Sequence, residues 1–236
     1  MKNEKIAAII PAAGSGERLG ALENKPFLLL GNKPLLVHTL QKFQECSEVN
    51  EVVLIVRGVD LRLSMGLVSE YGLTKVVEVV EGGKRRQDSV FRGLQVLGRR
   101  EVSFVLVHDA VRPLLAVEKV HEIIKATREH DAAILAIQPK DTIKHSNGTS
   151  FVESTLDRTK LWLVQTPQCF AMEILLKAYQ RAMEDDFAAT DDASLVERLG
   201  VKVKIVEGSY DNIKITTRED LELAELILRR QLSPAA

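Results

Sequence analysis

The sequence predicts an α/β fold: a mostly parallel sheet with helices on both faces and one protruding β-hairpin arm. Three observations carry that expectation. Short apolar runs alternate with amphipathic stretches from residue 6 to residue 137, the rhythm of a Rossmann-like parallel sheet. Glycine-rich or charged stretches follow directly on three of the apolar runs, where ligand loops of open α/β sheets lie. The rhythm then breaks between 140 and 160 around Asn147-Gly148, the strongest two-residue hairpin signal.

The elements follow in order. Ile6 to Ile10 is a continuous apolar run and reads as a buried strand. A helix is expected from Pro34, with Leu36, Val37, Leu40 and Phe43 on one face. Residues 51–56 (EVVLIV) form a second strand, 61–71 a helix ended by Gly72, and 75–80 (KVVEVV) a third strand. A helix carrying Val90, Leu94 and Leu97 inward precedes the strand 103–107 (SFVLV). A helix over 117–129 and a strand over 132–137 (AAILAI) complete the alternation. The arm is expected as strands 141–146 and 149–153 flanking Asn147-Gly148. The chain returns through 161–168, and a helix spans 172–183. Thr190 is the expected cap of a helix carrying Asp191 and Asp192. A late strand covers 201–206, and a last helix over 217–230 is capped by Thr217.

Composition narrows the function. The chain has 236 residues, enough for one full domain over 1–236, with 140–160 as an arm for dimerisation. Basic and acidic residues number 32 and 33, which argues against a nucleic-acid binder. No apolar run approaches the ~20 residues of a membrane span. Met1 to Lys5 leads straight into the first strand without a signal-peptide pattern, so the expected location is the cytoplasm. Cys46 and Cys169 have no metal-ligand spacing and read as small buried side chains.

The stretch from Ile9 to Gly20 (IIPAAGSGERLG), with Lys25 beyond it, organises the rest. Small residues and alternate glycines after a strand expose consecutive backbone N–H groups, which suits a phosphate or a nucleobase edge. A dinucleotide fingerprint fits poorly, because the third glycine falls one residue late and Lys25-Pro26 intervenes before a helix. The P-loop pattern is absent. A plain glycine-rich turn is the remaining alternative, weakened by the flanking Arg18 and Lys25. Gly82 to Arg86 and His108 to Arg112 also follow strands directly. A near-neutral protein that gathers Arg18, Lys25, Lys84, Arg85, Arg86 and Arg112 on one rim suits a polyanionic small molecule. Solvated loop charge explains any one of these cations, but poorly explains all together.

Read together, the stretches PAAGSGERLG with Lys25, GGKRRQDSV at 82–90, HDAVRP at 108–113, DTIK at 141–144, LDR at 156–158, QTPQ at 165–168, TDDAS at 190–194 and DNIKIT at 211–216 resemble the 2-C-methyl-D-erythritol 4-phosphate cytidylyltransferases of isoprenoid biosynthesis. The resemblance covers essentially the whole chain and implies a nucleotidyltransferase-type fold. It implies transfer of CMP from CTP to the sugar-alcohol phosphate, with release of pyrophosphate. It further implies that Ala12, Ala13, Gly14, Ser15, Gly16, Gly83 and the Ser89 hydroxyl bind the nucleotide. Arg18 and Lys25 would stabilise charge at the α-phosphorus, and Arg158 and Lys214 would hold the attacking phosphate. Asp109, Arg112, Thr142 and Thr166 would fix the acceptor. Mg2+ would bridge the triphosphate oxygens, with Asp109 a candidate ligand, and the protein would be a homodimer. Pro26 and Lys84 depart from the family pattern, where glutamine and an acidic residue are common. A ribitol 5-phosphate cytidylyltransferase is the close alternative, and a non-catalytic nucleotide-binding module the distant one. Retention of Arg18, Lys25, Arg158 and Lys214 argues against the module.

The chemistry agrees with those residue types. A phosphomonoester attacking CTP is already an anion, so no strong general base is needed. The barrier lies in bringing anions together, which positioning and fixed cations lower.

Overall fold

The computed structural model describes residues 4–14 and 24–232. The elements, in order, are β1 (Ile6–Pro11), β2 (Leu29–Leu30), β3 (Lys33–Pro34), α1 (Leu35–Glu45), β4 (Glu51–Val56), α2 (Leu61–Glu70), β5 (Val76–Glu81), α3 (Arg86–Leu97), β6 (Phe104–Val107), α4 (Val117–His130) and β7 (Ala132–Ile137). There follow β8 (Lys144–Ser146), β9 (Val152–Thr155), β10 (Leu163–Ala171), α5 (Met172–Glu184), α6 (Asp192–Glu197), β11 (Lys204–Glu207) and α7 (Arg218–Leu232). Seven strands form one sheet in the order β11-β7-β10-β6-β1-β4-β5. Its pairs are parallel except those of β10, which runs antiparallel between β6 and β7.

Strand periodicity explains the two layers. Ile6, Ala8 and Ile10 of β1 face Leu36, Leu40 and Phe43 of α1 and Val120, Ile123 and Ile124 of α4. Ala7 and Ile9 face the opposite way, among Val90, Leu94 and Leu97 of α3 and Leu175 and Tyr179 of α5. Both faces of β1 and β4 are covered, so these strands read as unbroken apolar runs rather than alternating ones. Each fully buried Ile, Val or Leu contributes about 1.5–3 kcal/mol relative to exposure. A third apolar cluster, with Leu30, Leu35, Leu114, Ile215, Ala224 and Ile227, seats α7 over the β2–β3 hairpin.

Several expectations are corrected. Segment 161–168, to which no element is assigned from the sequence, enters β10 at Leu163, near the centre of the sheet. A break in register between Val164 and Gln168 accommodates Pro167, which cannot donate to the ladder. The arm's second strand is Val152–Thr155 rather than 149–153. Its loop is longer than a two-residue turn, with Gly148 and Ser150 both at positive φ. The cap of α6 is Asp191, whose carboxylate accepts the Ser194 N–H at 3.1 Å, and not Thr190. The late strand is shorter and begins at Lys204. The β2–β3 hairpin goes unread in the sequence, although Gly31-Asn32 is its two-residue turn, with Gly31 at positive φ. Cys46 and Cys169 are both buried and free.

Candidate active site

Strand β1 lies beside β6, where the strand order reverses, and there the crevice outside the carboxyl ends opens. After Pro11 the backbone continues as Ala12, Ala13 and Gly14, and the Ala12 N–H donates to Ile55 O at 2.6 Å. These residues form one wall of a cleft of about 330 Å³ lined also by Lys25, Pro26, Gly83, Lys84, Arg85, Arg86, Ser89, Asp109, Lys214 and Thr216. The sequence expectation on Ser15, Gly16 and Arg18 falls outside the described residues. Lys25 opens a short 3-10 turn, and its Nζ donates to Thr216 O at 3.1 Å. Pro26 is that turn's second residue, where the N–H has no partner within the turn and a fixed φ is tolerated.

The loop after β5 owes its shape to lack of side chains. A Cβ on Gly82 would stand 2.4 Å from the Ala13 Cβ, and one on Gly83 would stand 2.3 Å from the Asp88 Cβ. The Gly83 N–H donates to Ser89 Oγ at 3.1 Å, and that hydroxyl donates to Arg85 O at 3.2 Å. Ser89 therefore holds the loop against the start of α3. Asp88 accepts the Arg85 N–H at 3.0 Å and caps the helix.

Asp109 is the hub of the opposite wall. Its Oδ1 accepts Arg86 Nε at 3.1 Å, its Oδ2 pairs with Lys214 Nζ at 2.8 Å, and Arg112 Nε lies 3.7 Å from Oδ2. Burial alone would raise this carboxyl, but Arg86, Lys214 and Arg112 hold it well below the usual carboxylate range. The backbone of Asp109 is fixed from beneath. Its N–H donates to Thr166 Oγ1 at 3.0 Å, and Thr166 lies 3.0 Å from His108 Nδ1. Having accepted from Asp109, the Thr166 hydroxyl donates to Nδ1; Nε2 then carries the proton and donates to Arg112 O at 3.1 Å. These partners assign one neutral tautomer, and burial pushes the His108 pKa down to about 4.

The structure therefore brings Ala12, Ala13, Gly14, Lys25, Gly83, Ser89, Asp109 and Lys214 to one cleft. Arg112 and Thr166 support Asp109 from behind and do not line the cleft. Thr142 and Arg158 lie exposed at the base of the arm, and Arg158 donates to Lys140 O. As a metal ligand Asp109 is poorly suited. Both oxygens are taken by cations, and three positive side chains around one carboxylate repel a divalent ion. Among the described residues, no group of three His, Cys, Asp or Glu side chains could hold a metal. No described helix is long and apolar enough to cross a membrane.

Sequence reasoning missed the polar supports of this wall. His108 is assigned no role of its own from the sequence, and Asp192 only a place at a helix start. Gln165 was not singled out, yet it accepts from Ser209 N at 3.3 Å and donates to Ser209 O at 2.8 Å, tying β10 to the segment that carries Lys214. Their signal was present only as polar residues in the HDAVRP, QTPQ and TDDAS stretches.

Comparison with known proteins agrees over nearly the full length. The IspD family model, 2-C-methyl-D-erythritol 4-phosphate cytidylyltransferase, matches residues 6–230. The enzyme of that name from Geobacillus kaustophilus is 45% identical over 226 residues, covering 96% of this chain and 98% of its own. That from Geobacillus thermodenitrificans is 46% identical over 226 residues, with the same coverage of 96% and 98%. Among solved structures, the 4-diphosphocytidyl-2C-methyl-D-erythritol synthase of Anaerococcus prevotii superposes with a TM-score of 0.86 at 34% identity, covering 96% of this chain and 97% of its own. The Francisella tularensis 2-C-methyl-D-erythritol 4-phosphate cytidylyltransferase superposes with a TM-score of 0.79 at 32% identity, covering 95% and 100%.

Proposed function

The chain belongs to the 2-C-methyl-D-erythritol 4-phosphate cytidylyltransferase family, and from that premise we infer how its own residues perform the transfer. The enzyme moves CMP from CTP to 2-C-methyl-D-erythritol 4-phosphate, giving 4-diphosphocytidyl-2-C-methyl-D-erythritol and pyrophosphate in isoprenoid biosynthesis. A non-bridging oxygen of the acceptor phosphate attacks the α-phosphorus of CTP. The new P–O bond forms as the bond to the β-phosphate oxygen breaks, and the electron pair leaves with pyrophosphate.

The observation that carries the assignment of roles is the charge of the cleft: Lys25, Lys84, Arg85, Arg86 and Lys214 line it, with Asp109 its one acidic residue among the described ones. Backbone groups of Ala12, Ala13, Gly14 and Gly83 bind the cytidine side, where small residues admit close approach of a base. Ser89 shapes that loop. Lys25, with Arg18 from the family pattern, meets the charge that grows on the α-phosphoryl oxygens. Lys214 takes the acceptor phosphate, and Asp109 faces the acceptor's hydroxyls. Lys84 lies at the cleft edge, where it adds attraction for the polyphosphate. The described side chains offer no ligand set for Mg2+, so the ion would enter only with the triphosphate. It would neutralise phosphoryl charge there.

We also read the protein as a cytoplasmic homodimer. The arm at 140–160 buries almost nothing of its own, and Phe151 is 76% and Val152 62% exposed. An isolated hairpin is marginal in water, and such apolar surface fits a partner. Thr142 and Arg158 sit on this arm and away from the cleft, which supports their completing the neighbour's site. The test is direct. Incubation with Mg2+, each nucleoside triphosphate and either methylerythritol phosphate or ribitol 5-phosphate, followed by pyrophosphate release, should single out CTP with methylerythritol phosphate. A higher kcat/KM with ribitol 5-phosphate would overturn the acceptor assignment.

A further inference from the structure

At the wall of the cleft, Arg86 joins two acidic residues far apart in the chain. Its Nε lies 3.1 Å from Asp109 Oδ1 and its Nη2 lies 2.8 Å from Asp192 Oδ2. Asp192 is fully buried, and its other oxygen accepts the Tyr179 hydroxyl. Tyr179 is itself buried in the layer formed by α3, α5 and α6, and its ring stacks on Phe91 with centroids 6.1 Å apart. Neither Asp192 nor Tyr179 lines the cleft. Burying the Asp192 carboxylate costs desolvation that apolar residues would avoid, and the Arg86 guanidinium, about one third exposed at the cleft, is the charge that offsets it. The geometry is one that only a guanidinium supplies, since two different nitrogens engage two separate carboxylates.

We propose that Arg86, clamped by the buried Asp192–Tyr179 pair, is a positioning residue that fixes Asp109 and, through it, Lys214 on the acceptor side of the site. Lys214 needs such a fixture. It sits on an irregular segment between β11 and α7, its side chain is 44% exposed, and its salt bridge is to Asp109 Oδ2. With Oδ1 held by Arg86, the carboxylate plane is set, and Oδ2 offers Lys214 one docking point. Without that hold, Asp109 turns freely between its cationic neighbours and Lys214 loses its rest position. The backbone groups of the nucleotide wall at Ala12, Ala13, Gly14 and Gly83 share no hydrogen bond with Arg86, Asp109 or Lys214. The kinetic signature of the clamp is therefore confined to the acceptor.

The inference rests on the reading that Lys214 serves the acceptor, and the experiment separates the two. Steady-state kinetics are measured with each substrate varied for Asp192→Asn, Arg86→Lys, Tyr179→Phe and, as reference, Lys214→Ala. Asp192→Asn keeps volume and removes the charge that clamps Arg86. It should raise KM for methylerythritol phosphate about tenfold and leave KM for CTP within about twofold. Arg86→Lys reaches only one carboxylate and should give the same pattern. Tyr179→Phe, the mildest change, should shift the acceptor KM about threefold, and it carries the test should Asp192→Asn fail to fold. Equal rises in both KM values mean that Arg86 meets the nucleotide directly. Normal KM values with a smaller active fraction mean a merely structural pair; either result overturns the proposal. If Lys214→Ala itself leaves the acceptor KM unchanged, the reading of Lys214 fails first and the proposal falls with it.

Discussion

Acidification from about pH 7.5 to about pH 5 should destabilise the protein by about 2 kcal/mol through His108 alone. The folded-state pKa of His108 is pushed down to about 4 by complete burial, against about 6.5 for an unperturbed histidine. Between those values the unfolded chain binds a proton that the folded protein does not. Stability is therefore fully present above about pH 6.5, declines as pH falls through the window, and levels off below about pH 4, where the accumulated loss is about 3 kcal/mol. That is a large part of a typical net stability of about 5–15 kcal/mol. The cause is structural. Nδ1 accepts from Thr166 and cannot accept once protonated, and among the described residues no carboxylate is hydrogen-bonded to the ring. Asp109, whose carboxyl is depressed, loses its contribution only below the unfolded carboxylate value of about 4, so it lies outside the window. The assay is urea unfolding followed by far-UV circular dichroism at fixed protein concentration, in steps of about half a pH unit. His108→Gln keeps a donor towards Arg112 O and removes the titration. It should be less stable at neutral pH by about 1–3 kcal/mol, and its stability should fall about 2 kcal/mol less than wild type across the same window. Parallel pH profiles for the two proteins would refute the argument.

Three further outcomes are expected. Gly82→Ala places a methyl 2.4 Å from the Ala13 Cβ; an overpacking cost of about 1–3 kcal/mol should appear as a lower Tm and a kcat/KM for CTP reduced at least about tenfold, and an unchanged kcat/KM would show that the loop yields freely. Lys25→Ala should lower kcat by roughly 10²–10³, the loss typical of one preorganised charge, with Tm nearly unchanged, and a near-normal kcat in the purified variant would dismiss its transition-state role. Mixing Lys25→Ala with Arg158→Ala under subunit exchange should restore about a quarter of wild-type activity if each arm completes its neighbour's site; a silent mixture, with exchange confirmed by tag pull-down, would mean that each site is built within one chain.

Much of this architecture was legible because it is written in periodicity. Runs such as AAII at 7–10 and EVVLIV at 51–56 are apolar on both faces of a strand, so they admit only a sheet covered on both sides. The helices between them were readable from one apolar stripe each. The cleft was legible for a related reason: Ala12 to Gly14, Gly82 to Arg86 and His108 to Asp109 each sit directly beyond a strand, and parallel strands bring such loops to one edge. Side-chain supports carry no period. Asp88 caps a helix three residues from its partner and leaves a local trace, but Asp192 meets Arg86 across 106 positions of sequence.

The sequence by itself thus determined most of the strands and helices, though not β2–β3 or β10, which loops line the cleft, and the family to which the chain belongs, because each follows from local pattern or from short motifs. Only the tertiary structure decided that β10 runs against its neighbours through the middle of the sheet. That reversal sets Thr166 under the Asp109 N–H and allows Gln165 to tie down the Lys214 segment. Likewise only folding delivers Asp192 behind Arg86. The physical reason is the same in both cases: a buried hydrogen bond is fixed by geometry and by exclusion of water, and neither exists until distant segments have packed.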